Sequence, residues 1–383
     1  MRVLVAVTGG DIGGGAQQVV RTLLHGLPAE GIEPLLVTGQ ESPLTEESRE
    51  LGIATHVVRD LVRPIRPGRD LKALRALKAV VRETRAQVIH GHSFKAGALA
   101  RLAGRGLGVP TVYTVHGWGA YHELPRPLRS AWLSLERWLS QGSAVAYVCE
   151  RDQSMGVRAG LPIGHVIPVA SLLRGEQRTD PRDLDPGEPV EMLIVARFAT
   201  QKDPLGTIHT LAAVRDVDPA LRWHATWIGD GPLRQETVAE AHRLGLDDRV
   251  SFMGSFQDIP QFYQAAHVFV LLSHYEGTPL SLIEAMRARL IIVATAVGGV
   301  EEMLGQESGV LVSPSASLRD RADVLLTVLA QPQAYTDMRQ RAGARALRYD
   351  PSTMVARYAT LYRDLAKQAE QPKAQDPRAR WST

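Results

Sequence analysis

The 383-residue chain contains one cysteine, Cys149. A single thiol cannot close an internal disulfide or supply a cysteine cluster for structural zinc, so the chain reads as a protein of a reducing compartment, the cytosol by default. Long hydrophobic runs are missing as well. The amino-terminal Met1-Arg-Val-Leu-Val-Ala-Val is too short for the apolar core of a signal peptide, and no stretch approaches the ~20 apolar residues of a membrane span. Charge of one sign is missing too: 44 Lys and Arg stand against 41 Asp and Glu, a formal net charge of +3. With the basic excess confined to one segment, the broad cationic surface of a nucleic-acid binder is not expected. No G-x-x-x-x-G-K-[ST] run occurs, which excludes a P-loop, and no cluster of acids and histidines demands a metal. What remains is ordinary globular composition, 44% apolar and 22% charged, with length for about two domains.

Buried-strand segments alternate with helical ones. Val3 to Val7 is followed by a Gly-rich loop and an apolar-periodic run from Gln17 to Leu27. Strands then recur at Leu35 to Val37, Thr55 to Val58, Gln87 to His90 and Thr111 to Val115, with helices at Asp70 to Thr84 and Ala96 to Leu107. A second series begins at Glu191 and continues through Trp223 to Ile228, Val250 to Met253, Val268 to Leu272 and Ile291 to Thr295. This alternation predicts an α/β protein with two doubly wound, Rossmann-like domains facing across a cleft. The polar, Pro- and Gly-rich stretch from Arg174 separates them. The expected division is a first domain at 1–173, a linker at 174–190, a second domain at 191–350, a returning helix at 351–367 and a disordered tail at 368–383.

Four constellations carry chemistry. Gly13-Gly14-Gly15 follows the first strand at a helix start, where bare backbone can approach an anion or simply make a tight turn. A dinucleotide fingerprint fails there, because Gln18 stands where its third glycine belongs. Arg197 and Lys202 follow the first strand of the second series, and two cations at a strand's carboxyl end can neutralise a diphosphate or lie solvated on a loop. Glu276 and Glu284 are eight apart in a strand–loop–helix setting. There Thr278 would cap the helix and Pro279 would open it, with Glu284 about two turns along. Such carboxylates can accept paired sugar hydroxyls or face water. Finally, His116 sits after a strand and beside Gly117, fit to bond a substrate hydroxyl or to serve a structural role.

Taken together these stretches resemble the retaining family-4 glycosyltransferases of the GT-B fold. The most specific piece is Ser273-His-Tyr-Glu-Gly-Thr-Pro-Leu-Ser-Leu-Ile-Glu-Ala-Met286, which carries that family's E-x7-E signature. Around it stand Gly229-Asp-Gly-Pro-Leu-Arg234, Asp248 to Gly254, Ala294 to Glu302 and Gly309-Val-Leu-Val312, each in the family's order, and the His90-Gly-His-Ser93 stretch fits too. The resemblance implies transfer of a sugar from a nucleotide-diphosphate-sugar, UDP-sugar favoured, to a glycan or lipid-linked acceptor with retention, in cell-envelope or exopolysaccharide biosynthesis. It makes Arg197 and Lys202 the diphosphate clamp, Glu276 a contact to the donor sugar and Glu284 a contact to the ribose. Gly277, Thr278, Pro279 and Leu280 would turn backbone N–H groups to the phosphates and sugar. His116 would lie at the reacting face, Gly14 and Gly15 would close over the diphosphate, and the base would lie near Gly229 and Gly254. No cofactor or metal is implied. Two other readings stay open beside it, a non-catalytic nucleotide-sugar-binding relative and a GT-B sugar-nucleotide epimerase.

The chain departs from the family pattern in places. Arg289 and Ile291 stand where Gly and Pro are usual, which implies an altered turn. Gln17 replaces a carboxylate, Val169-Ala170 replaces Asn-Gly, and Cys149 replaces a serine. The segment 59–85 carries nine Arg and Lys, with Lys72, Arg75, Lys78 and Arg82 lying off an apolar stripe. This face could rest on anionic lipid with interfacial help from Trp132 and Trp138, or be solvated. The resulting expectation is a cytoplasmic enzyme at the inner face of a membrane.

Overall fold

The computed structural model describes all residues except 10–14, 120, 122–123, 171, 173–183, 186, 257–258 and 372–383. Its first sheet has seven strands: β1 Arg2–Val7, β2 Glu33–Thr38, β3 Thr55–Val57, β4 Val88–His92, β5 Thr111–Val115, β6 Ala144–Tyr147 and β7 His165–Val166, in the order β3-β2-β1-β4-β5-β6-β7. β1 pairs in parallel with β2 and β4, and β4 with β5. The second sheet has six: β8 Val190–Val195, β9 Trp223–Ile228, β10 Val250–Gly254, β11 Val268–Leu271, β12 Ile291–Thr295 and β13 Val310–Val312, in the order β10-β9-β8-β11-β12-β13. All five of its pairings are parallel. Strands buried on both faces read as apolar runs, as β1 does from Val3 to Val7, β11 from Val268 to Leu271 and β12 from Ile291 to Ala294. Each order reverses once, beside β1 and beside β8, and at such a point the strand ends diverge and leave room for a ligand.

The chain divides into two compact units. One comprises Met1–Thr114, Ser134–Ala146 and Val355–Thr383, and the other Val115–Leu133 and Tyr147–Met354. The expected linker at 174–190 lies mostly outside the described residues. The division also differs from a single cut there, because the chain after β5 and again from Tyr147 groups with the second sheet. The last helix, Pro351–Glu370, runs beyond the expected end at 367. Among the described residues no helix is long and apolar enough to cross a membrane.

The first unit holds this last helix by a buried polar network. His90 Nδ1 meets Tyr362 Oη at 2.5 Å, His90 Nε2 meets Thr114 Oγ1 at 2.7 Å, and Thr114 Oγ1 meets Tyr358 Oη at 2.9 Å. All four side chains are fully buried. A second buried anchor is the two-pronged pair of Arg101 with Glu136, at 2.9 and 3.0 Å, with the guanidinium also 4.1 Å from the Tyr113 ring centre. Inside protein such groups hold their place only when every polar atom is matched. Tyr362→Phe deletes one hydrogen bond to a buried histidine, so it lowers unfolding free energy by about 1–3 kcal/mol, measured by urea denaturation. An unchanged midpoint would show that the network contributes nothing.

Candidate active site

The second unit brings most of the singled-out residues together. The chain leaves β8, turns at Ala196–Ala199 and makes one 3-10 turn, Thr200–Lys202. Two glycines permit this path. A Cβ on Gly229 (φ 147) would stand 2.1 Å from the Ala196 carbonyl oxygen, and one on Gly231 would stand 2.5 Å from that of Phe198. Gly229 N–H also donates to the Gly254 carbonyl at 2.8 Å, which joins the two glycine regions expected near the base. At the end of the turn Lys202 Nζ donates to Glu276 Oε1 at 2.6 Å, a pair whose carboxylate is 3% exposed. The other oxygen, Oε2, accepts from Gln201 Nε2 at 3.3 Å, and the same amide donates to the Tyr275 carbonyl at 3.0 Å. Both oxygens of Glu276 are therefore occupied. Arg197 is exposed and forms no ion pair among the described residues.

Glu276 lies on the loop from β11 to the helix Leu280–Arg287, and this loop is clamped between two glycine-bearing segments. A Cβ on Gly298 (φ 56) would be 1.6 Å from the Glu276 carbonyl oxygen, and Gly299 N–H donates to the Gly277 carbonyl at 2.8 Å. On the other side a Cβ on Gly277 would sit 2.8 Å from the His116 carbonyl oxygen. Only glycine admits backbone this close. His116 is thereby fixed beside the Glu276 loop, half-buried, and desolvation lowers its imidazole pKa to about 4, so it is neutral at pH 7.

The helix start differs from expectation. Pro279 occupies the cap position itself (φ −69, ψ 120), and Thr278 Oγ1 donates to the Val148 carbonyl at 3.0 Å instead of capping. Pro279 has no N–H to offer a ligand. Glu284 consequently lies just over one turn into the helix, not two. Its Oε2 accepts from the buried Tyr263 hydroxyl at 2.7 Å, whose pKa burial and the nearby carboxylate push well above the usual value. The departure at Arg289 alters side chain rather than backbone: it takes φ 53, the left-handed conformation a glycine would adopt, and Arg289 N–H still closes the helix on the Met286 carbonyl.

Near the Gly277–Gly299 contact stand a buried thiol, a buried carboxyl and an exposed one, those of Cys149, Asp152 and Glu302. Cys149 Sγ is 3.3 Å from where a Gly299 Cβ would be, and burial pushes its thiol pKa up. Glu302 Oε2 accepts from Glu150 N–H at 2.9 Å at the start of the helix Glu150–Arg158. Burial raises the carboxyl of Glu302 and raises that of Asp152 to about 7. Gln201, Tyr263 and the Gly298-Gly299 pair were not assigned roles from sequence. Gln201 is the neighbour of Lys202, and the two glycines lie inside a recognised motif, but only the contacts show what they do. Gly15 opens the helix Gly15–Gly26 in the first unit, and Gly14 lies outside the described residues.

The family model described as "Glycosyl transferases group 1" matches residues 176–345, and that described as "Glycosyl transferase 4-like domain" matches residues 14–170. The chain belongs to the group 1 glycosyltransferases. Among relatives of this glycosyltransferase, the UDP-Gal:alpha-D-GlcNAc-diphosphoundecaprenol alpha-1,3-galactosyltransferase of Escherichia coli is 24% identical over 74% of this chain and 77% of that protein. The Vi polysaccharide biosynthesis protein VipC/TviE of Salmonella typhi is 37% identical over 28% of this chain, and the match spans only 18% of that protein. The Anabaena Alr3699/HepE structure in complex with UDP and glucose superposes with a TM-score of 0.77 at 20% identity, covering 95% of this chain and 100% of that one. The fold is GT-B.

The raised carboxyl of Asp152 has a consequence for this glycosyltransferase's stability. Unfolded, the group ionises near its usual 3.8; folded, it holds its proton to about 7. Folding takes up a proton between those values, so the stability present at low pH is lost as pH rises towards 7. In Asp152→Asn that part of the decline is absent. Urea midpoints at about pH 5 and about pH 8 should differ less in the variant than in the wild type, and equal differences would contradict the burial of a protonated Asp152.

Proposed function

We propose that the enzyme transfers a sugar from a nucleotide-diphosphate-sugar, UDP-sugar favoured, to a hydroxyl of a glycan or lipid-linked acceptor, with retention, in assembly of an envelope or extracellular polysaccharide. The observation that carries this reading is the Lys202–Glu276 pair with Arg197 exposed on the same loop as Lys202. Lys202 is held by Glu276. A diphosphate offers the ammonium a more highly charged partner, so donor binding draws Lys202 to phosphate and leaves a Glu276 oxygen for a sugar hydroxyl. Glu284, fixed by Tyr263, serves the ribose. The UDP complex of the Anabaena protein and the UDP-galactose named for the Escherichia coli enzyme support UDP as the base-bearing half.

The bond from the anomeric carbon to the phosphate oxygen breaks with its electron pair leaving on the diphosphate. The acceptor oxygen bonds to the same face of that carbon, and its proton passes to the departing phosphate. Charge grows on the leaving group, and Arg197 and Lys202 stabilise it there, the electrostatic contribution that is usually largest. On this reading the two cations suffice and no metal or other cofactor is needed. His116, neutral at pH 7, can accept or donate a hydrogen bond to the donor sugar without adding charge. The names of the Escherichia coli and Salmonella typhi relatives support a polysaccharide or lipid-linked product. On this reading the enzyme works in the cytoplasm at the inner face of a membrane.

Two variants test the donor site. Glu276→Gln and Lys202→Met should each lower transfer from UDP-sugar by about 100-fold or more while the far-ultraviolet dichroism is unchanged, and near-native turnover in either overturns the assignment. Glu284→Gln should weaken UDP binding in calorimetry more than it lowers kcat. Transfer that survives EDTA supports the metal-free reading, and activity restored only by a divalent ion defeats it.

A further inference from the structure

The helix Pro67–Thr84 packs Ala73, Leu77, Val80 and Val81 into the core of the first unit. At 100° per residue the opposite face carries Lys72, Arg75, Lys78 and Arg82, successive at three or four residues, with Leu71 beside them at 48% exposure. Two of the segment's other charges are paired: Arg69 with Asp60 at 2.9 Å, and Asp70 with the buried Lys95. Glu83 is the one acid on the exposed side of this helix among the described residues.

The stripe does not end with the helix. Lys78 Nζ lies 2.5 Å from where a side chain on Gly106 would begin, on the next helix, Phe94–Leu107. Arg105, adjacent to Gly106, donates to the Trp138 carbonyl at 2.9 Å and lies 4.4 Å over the Trp138 ring, which is nonetheless 47% exposed. On the loop before the first helix, Ile65 is 70% exposed. Ile65 and Leu71 therefore stand far into water beside these cations, and Trp138 keeps nearly half its surface exposed although Arg105 covers its ring. Trp132 takes no part: its ring packs on Trp118 with centroids 5.7 Å apart.

We propose that this surface of the first unit, the cations Lys72, Arg75, Lys78, Arg82 and Arg105 with Ile65, Leu71 and Trp138, docks on an anionic lipid bilayer. Charge complementarity selects that occupant. A row of unneutralised ammonium and guanidinium groups matches a sheet of phosphate headgroups. An exposed indole with a stacked arginine has the mixed character of the headgroup boundary, and Ile65 and Leu71 can enter the acyl edge. The docking deepens the proposed function by naming where the membrane would be met, yet it stands on these surface residues alone.

The full chain is sedimented with extruded phosphatidylcholine vesicles, with and without about one-third phosphatidylglycerol, and UDP affinity is measured separately on every variant. Binding should require the anionic lipid and be released by about 0.5 M NaCl. Lys72→Glu with Arg75→Glu and Arg82→Glu should lower the partition coefficient at least about tenfold with UDP affinity unchanged. Brominated acyl chains should quench tryptophan emission in the wild type and much less in Trp138→Phe. Equal binding to both vesicles, no binding to either, or a charge-reversed variant that binds like the wild type overturns the docking surface. Loss of UDP binding by the wild type would instead defeat the transferase reading and leave the vesicle result standing.

Discussion

An ammonium 2.6 Å from a carboxylate that is 3% exposed is the contact on which the active-site loops depend. Neither group can be withdrawn from water alone without a cost of about 3–5 kcal/mol, so the loop after β8 and the loop after β11 hold one another. Gln201 completes the arrangement by taking the second oxygen and the neighbouring carbonyl. These contacts hold the lysine against an anion of the chain itself. On the proposed reading, the partner that displaces Glu276 brings more negative charge than one carboxylate, as a diphosphate does.

Around that pair the controlling quantity is the space a methyl group would take. Gly229 and Gly231 let the end of β9 press on the chain that carries Arg197, while Gly277, Gly298 and Gly299 let three backbone segments meet at the Glu276 loop. The helix start has a proline at its cap, so the loop is held by Thr278 on the Val148 carbonyl and by Gly299 on Gly277 rather than by a capping side chain. Electrostatics differs between interior and surface in the first unit. There Arg101 and Glu136 are satisfied by each other out of solvent, whereas Lys72, Arg75 and Arg82 are exposed and form no ion pair among the described residues. Buried charge is matched because it must be. Exposed charge left unmatched is available to a partner.

The architecture was legible in the chain because buried parallel strands are written as apolar runs and helices as periodic ones, local signals that survive without any knowledge of partners. β1, β2, β4, β5 and β8 to β12 all fall on such runs, and Glu276, Glu284, Arg197 and Lys202 stand out by charge at strand ends. The short β7, of two residues, has no pattern long enough to read. Other features could not be read because they are contacts between residues far apart in sequence. The amide of Gln201 on Glu276, the hydroxyl of Tyr263 on Glu284, the Gly298 backbone against the Glu276 carbonyl and the placement of Arg105 over Trp138 each join segments about 20 to 75 residues apart. Thr278 does not cap because the helix begins one residue later, with Pro279 at the cap position, and a threonine's hydroxyl reaches the first-turn N–H groups only from the cap position itself. Sequence by itself determined the α/β class, the two sheets and the charged side chains of the site. Tertiary structure alone decided which of those charges are paired and which are free, because pairing depends on distance through space and on the water excluded there.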